Sequence, residues 1–182
     1  AGAYQAAGKL ALALPLSEKT LTLMKAKFGP EHHRTLSSMI CLTLVYDELK
    51  QYDKAELLYR ELLRLNKQKT GDESLAYAMT LRPLSRSLLH QKKWTDAESL
   101  LRNCLAIREK MLSDSWTTFD TKSLLGEALL GQKKYAEAAT ALAAGHESYQ
   151  RAVRREPEIG RYDISLGVGK FPALRYFGYG FG

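Results

Sequence analysis

A chain of 182 residues, 45% hydrophobic and 26% charged, can bury one sizeable core and reads as neither disordered nor membrane-embedded. Its formal charge of +7 comes from lysines and arginines interspersed with acids. With no compact basic stripe interleaved with aromatics, neither nucleic acid nor membrane is an expected partner. Two cysteines, Cys41 and Cys104, show no metal or redox spacing, and a reducing cytoplasm is the simplest setting for them.

The first element is the apolar stretch Leu10–Leu16. It is far short of the roughly 20 residues a membrane helix needs. Only Lys9 precedes it, and it falls in register with later segments, so it reads as a repeat helix rather than a leader. Pro15 is placed in the first turn of that helix, where a missing N–H is tolerated. Three later segments superimpose: LKQYDKAELLYR (49–60), QKKWTDAESLLR (91–102) and QKKYAEAATALA (132–143). Tyr52, Trp94 and Tyr135 are equivalent, 42 and 41 residues apart, and so are Ala55, Ala97 and Ala138. Counting 42 back from Tyr46 and Ala55 reaches Tyr4 and Ala13. The chain is therefore expected to open inside a repeat of a longer protein, with a partial unit 1–28 and full units 29–70, 71–112 and 113–151.

Each unit reads as two amphipathic helices. In the first full unit, helix A carries Leu36, Met39, Leu42, Thr43 and Tyr46 on one face, and helix B carries Ala55, Leu58, Tyr59, Leu62 and Leu65. Asp53 with Glu56, and Thr95 with Glu98, have capping-box spacing before helix B. Ala136 lacks it, so the third start is expected to be weaker by about 1 kcal/mol. Small residues recur at Thr43, Ser85 and Gly126, where one backbone must approach another, and Tyr59, Leu101 and Leu142 supply larger plugs. Tyr52, Trp94 and Tyr135 read as core at the turn, and Pro83 is expected to kink the second helix A. The lysine pairs 92–93 and 133–134 read as solvated turns. The expected fold is all-α: a right-handed superhelical solenoid of antiparallel helix pairs, period about 42.

The order Leu42, Thr43, Tyr46, Ala55, Tyr59, Leu62 resembles the tetratricopeptide consensus of leucine, small, tyrosine, alanine, aromatic and small residues, with a larger residue last. The 42-residue period, FGPEHHRTL (28–36) and LAIREKML (105–112) resemble the kinesin-light-chain subclass, though His32-His33 stands where that subclass has His-Pro. Residues 116–138 are similar to repeat regions of large bacterial signalling proteins, often joined to serine/threonine kinase domains. The resemblance implies a non-catalytic protein–protein interaction scaffold, with no cofactor, in a larger signalling protein. The alternative is a regulatory or substrate-docking segment of a kinase whose catalytic domain lies elsewhere.

The resemblance also implies a concave groove lined by helix A residues off the packing face. Those are Ser37, Ile40, Leu44, Asp47 and Glu48; then Met79, Arg82, Arg86, Leu89 and His90; then Asp120, Ser123, Glu127, Leu130 and Gly131. A groove of this kind takes an extended peptide or a helix. Arg82 and Arg86, four apart, either clamp an acidic group of the partner or pair with Asp47, Glu48 or Glu127. The asparagines with which the subclass holds a ligand backbone are absent: Ile40-Cys41, Arg82-Pro83 and Ser123-Leu124 stand at those places.

Motifs for chemistry fail on inspection. GVGK (167–170) has Ile164 where a phosphate loop needs glycine and Phe171 where it needs a hydroxyl. His32-His33 lacks partner ligands and reads as solvated or capping. Cys41 and Cys104, with no local histidine, read as buried thiols. From Glu156-Pro157 the pattern stops, and residues 152–182 form a Gly/aromatic-rich tail, either capping the last repeat or unstructured. Oligomeric state is not legible.

Overall fold

The structure, a computed structural model, describes residues 10–112 and 116–155. They form seven helices: α1 Leu10–Phe28, α2 His33–Glu48, α3 Tyr52–Thr70, α4 Leu75–His90, α5 Trp94–Leu112, α6 Trp116–Gly131 and α7 Tyr135–Arg155. Among the described residues there is no strand. Of the expected tail 152–182, residues 152–155 belong to α7, and the remainder, like Tyr4, lies outside the described residues.

The period is written into the backbone. Lys50, Lys92 and Lys133 adopt left-handed φ values of 57°, 60° and 63° at the turns closing α2, α4 and α6. At each, the residue after the lysine donates its N–H back to the helix: Gln51 to Tyr46 O (2.8 Å), Lys93 to Leu88 O (2.9 Å) and Lys134 to Leu129 O (3.0 Å). This is a Schellman closure, which lets helix B start after a turn of only three residues, antiparallel to helix A. Between units, Gly29 and Gly71 both sit at φ 84°, where a Cβ would be strained. A left-handed lysine carries a steric penalty that glycine does not. Lys92→Gly is therefore expected to raise unfolding stability by about 0.5–1 kcal/mol, with Lys92→Val lowering it, in chemical denaturation.

Each helix packs on its chain neighbours, and the A helices α4 and α6 also meet. The predicted packing faces are buried: Met39, Leu42, Thr43 and Tyr46 on α2, and Ala55, Tyr59, Leu62 and Leu65 on α3. Ala55, Ala97 and Ala138 are wholly inaccessible, as are Thr43 and Ser85. A Cβ on Gly126 would come within 2.5 Å of Leu142, which shows why that place is small. The aromatic at the start of helix B covers the last residue of the next helix A. Tyr52 stacks on His90, centroids 4.6 Å apart, and Trp94 lies against Gly131, where a Cβ would enter its ring. Tyr135 departs from expectation: it is 65% exposed, because none of the described helices follows α7 to receive it.

The capping boxes are not formed. Asp53 and Thr95 lie inside α3 and α5, and Gln51, the α3 N-cap, makes no side-chain cap bond. The expected weaker start at Ala136 loses its basis with them. The side-chain caps stand instead before helix A, at His32 (Nδ1 accepts from Arg34 N, 3.2 Å) and Ser74 (Oγ accepts from Tyr77 N, 3.2 Å). Glu56 and Glu98 cross-link repeats. Glu56 accepts from Arg60 (2.8 Å) on its own helix and from Gln91 (3.0 Å) and Lys93 (2.8 Å) of the next turn. Glu98 repeats this with Arg102 (2.8 Å), Gln132 (2.7 Å) and Lys134 (2.8 Å). Lys93 and Lys134 are therefore paired rather than merely solvated.

Two further expectations are corrected. Pro15 is the sixth residue of α1, in its interior rather than its first turn, and Cys41 is exposed. Cys104 is buried, its thiol donating to Ala78 O (3.3 Å) and accepting from Arg108 Nε (3.2 Å). The assigned helix α4 continues through Pro83 to His90.

Candidate partner-binding groove

The A helices α2, α4 and α6 carry the predicted groove residues. Ile40 and Leu44 are half-buried, Ile40 packing on the main core. Glu48, Glu127 and His90 are exposed, and Met79 is 39% exposed. Ser123 spends its hydroxyl on Phe119 O (3.1 Å). Leu89 is a correction: it is 2% exposed and belongs to the core, because α4 is enclosed by α3, α5 and α6. It therefore lines no surface.

The two arginines have different fates. Arg82 Nε donates to Asp120 Oδ2 across the α4–α6 contact, a partner absent from the sequence reading. Both side chains are about four-fifths covered, so this pair stays in place. Arg86, one turn on, makes no hydrogen bond and no ion pair within 4.0 Å among the described residues. Its field reaches Asp47 and His90. Asp47 Oδ2 accepts from Tyr59 Oη (2.7 Å), while Oδ1 is buried without a partner. Burial pushes the Asp47 carboxyl up, against the Tyr59 hydrogen bond and the Arg86 charge, which pull it down. Burial also lowers the His90 imidazole below its ordinary 6.5, and Arg86 adds to that. His90 is therefore mainly neutral near pH 7, and Arg86 is the strong cation beside it.

Among the described residues no three His, Cys, Asp or Glu side chains gather at metal distance, and no helix is long and apolar enough to cross a membrane. His32 is a helix cap stacked on Phe28, centroids 4.6 Å apart.

Helix pairs stacked along the chain, with the A helices α4 and α6 in contact, define the molecule as an α-solenoid of the type that builds protein–protein interaction scaffolds. Profiles for the tetratricopeptide repeat match residues 1–68 and 78–115, between them more than half of the chain. The chain belongs to the tetratricopeptide-repeat family, with a fold of the kinesin-light-chain type. Among solved structures it is similar to BtubC (BKLC) from P. vanneervenii, with TM-score 0.75 and 18% identity over 84% of this chain. It spans 61% of that protein's length. It is also similar to a protein of Podosopora anserina assigned to the kinesin light chains, built of nearly identical TPR-like repeats. Two crystal structures of that protein give TM-scores of 0.71 and 0.70 at 19% identity, covering 87% of this chain and 85% of theirs. At such identities the likeness is one of fold. No curated protein matches the sequence.

Proposed function

We propose that the groove on α2, α4 and α6 binds a peptide or helix of a partner protein and that Arg86 receives an acidic group of it. The observation that carries this reading is the asymmetry between the two arginines: Asp120 already neutralises Arg82, whereas Arg86 is left without a direct partner beside a half-buried carboxylate. Guanidinium forks suit carboxylates, and Met79, Ile40 and Leu44 offer apolar contact alongside. The likeness of residues 116–138 to bacterial signalling proteins makes a larger signalling protein the proposed setting.

A fluorescein-labelled peptide with an acidic C-terminal half, titrated against the chain by anisotropy, tests this. Arg86→Ala is expected to weaken binding about tenfold or more, the worth of a charged hydrogen bond. Arg82→Gln is expected to act through the α4–α6 contact, lowering thermal stability with a smaller effect on affinity. Equal affinity of the wild type and Arg86→Ala would remove the acidic contact from the reading.

A further inference from the structure

Tyr135, Ala139 and Leu142 follow one another at helical spacing on one face of α7, and all three are exposed. Their equivalents in earlier repeats are covered by the next helix pair. Tyr59 and Leu101 are 3% and 0% exposed, whereas Leu142 is 38% exposed. The joint between repeats is missing here as well. Ala139 stands where Glu56 and Glu98 hold the Gln-x-Lys of the following turn, and residues 156–182 contain no glutamine. Both halves of the joint are lost together, so α7 is not built to receive another pair of the same kind. The last unit of an array needs a polar outer face, and this one is apolar. The chain itself carries a cover of matching chemistry. Phe171, Tyr176, Phe177, Tyr179 and Phe181 follow α7, in a segment 156–182 whose three acids balance three bases. The reach is ample. Leu142 and Tyr135 lie about 20 and 30 Å back along α7 from its end at Arg155. Residues 156–170, extended, span up to about 50 Å.

We propose that the aromatic segment 171–181 turns back onto the outer face of α7 and closes the array, its rings packing on Tyr135, Ala139 and Leu142. Burial of aromatic and aliphatic surface holds this end, in place of the carboxylate joint that holds the two before it. The closed face lies apart from the groove on α2, α4 and α6, so the cover leaves the groove open to a partner.

The test uses the full chain with a nitroxide attached at Gly180→Cys, and with Cys41→Ser removing the exposed thiol, Cys104 being buried. In methyl-resolved NMR the Ala139 and Leu142 signals are expected to be lost by broadening and to return when the nitroxide is reduced, while exposed Leu57 on α3 stays sharp throughout. Tyr135→Asp sets a charge beneath the rings, and Phe177→Ser with Phe181→Ser removes two of them; each change is expected to restore both signals. Tyr135 is 65% exposed on α7, so its replacement leaves the core intact. Sharp Ala139 and Leu142 signals in the labelled chain overturn the proposal, as does broadening that survives Tyr135→Asp. Equal broadening of an unlabelled chain mixed with a labelled one also overturns it, since the face would then belong to a second copy.

Discussion

Replacing Leu84 by alanine is expected to lower the free energy of unfolding by about 3 kcal/mol, read by urea denaturation with far-UV circular dichroism. Leu84 is wholly buried in the main core, on the middle helix α4, which meets α3, α5 and α6. A truncation there forfeits the transfer energy of the lost carbons and leaves a void that three neighbouring helices cannot all close upon. In a solenoid, stability is the sum of each unit and its joints, so damage at the middle weakens two joints together. Leu57→Ala is the control, because Leu57 is 70% exposed. That change is expected to stay within about 0.5 kcal/mol. A loss under about 1 kcal/mol for Leu84→Ala would contradict the packing described.

Glu98→Ala is expected to cost about 2 kcal/mol, because it strips one carboxylate of hydrogen bonds to Arg102, Gln132 and Lys134 at once. Lys134 and Arg102 are 41% and 50% exposed and rehydrate once released, which keeps the loss below that of a fully buried pair. The hydrogen bond from Lys134, helped by Gln132 and Arg102 against the opposing effect of burial, holds the Glu98 carboxyl at about 2. The folded value lies below the unfolded one, ordinarily 4.5, so the unfolded state takes up the proton first. The stabilisation is complete above pH 4.5 and drains away as pH falls toward 2. Melting temperatures measured across that window are expected to fall more steeply for the wild type than for Glu98→Gln. Parallel curves would show that the carboxylate does not hold the joint. Burial would raise the Glu56 carboxyl, but Lys93, Arg60 and Gln91 outweigh it and hold it below its ordinary value, so the same joint recurs one repeat earlier.

The solenoid was legible because its signals are redundant. Ala55, Ala97 and Ala138 mark one close approach three times over, and substitution of one would still leave two. The exceptions share a physical reason. The spacing of Asp53 with Glu56 suits a cap, but an ionised side chain goes to its best donors, and these lie some 35 residues away at Gln91 and Lys93. No local pattern announces them, although Gln-x-Lys recurring at 91–93 and 132–134 beside Glu56 and Glu98 was a usable clue. Leu89 enters the groove through the resemblance, which assigns to it the helix A residues off the packing face. Period fixes a direction, whereas burial depends on whether another helix stands there, and α6 does. The same limit applies to Arg82: the residues to pair with it were sought at Asp47, Glu48 and Glu127, while the α4–α6 contact delivers Asp120. Tyr135 is the converse, an aromatic with the right spacing and no described neighbour to cover it.

Trp94 straddles a joint, resting its indole on the last residue of α6. Loosening of the second repeat from the third would uncover the face of that ring now turned to Gly131. The molecule thus carries a native optical gauge of a single hinge. With Trp116 changed to phenylalanine, emission from Trp94 alone would distinguish an array that unzips from one end from an array that melts all at once.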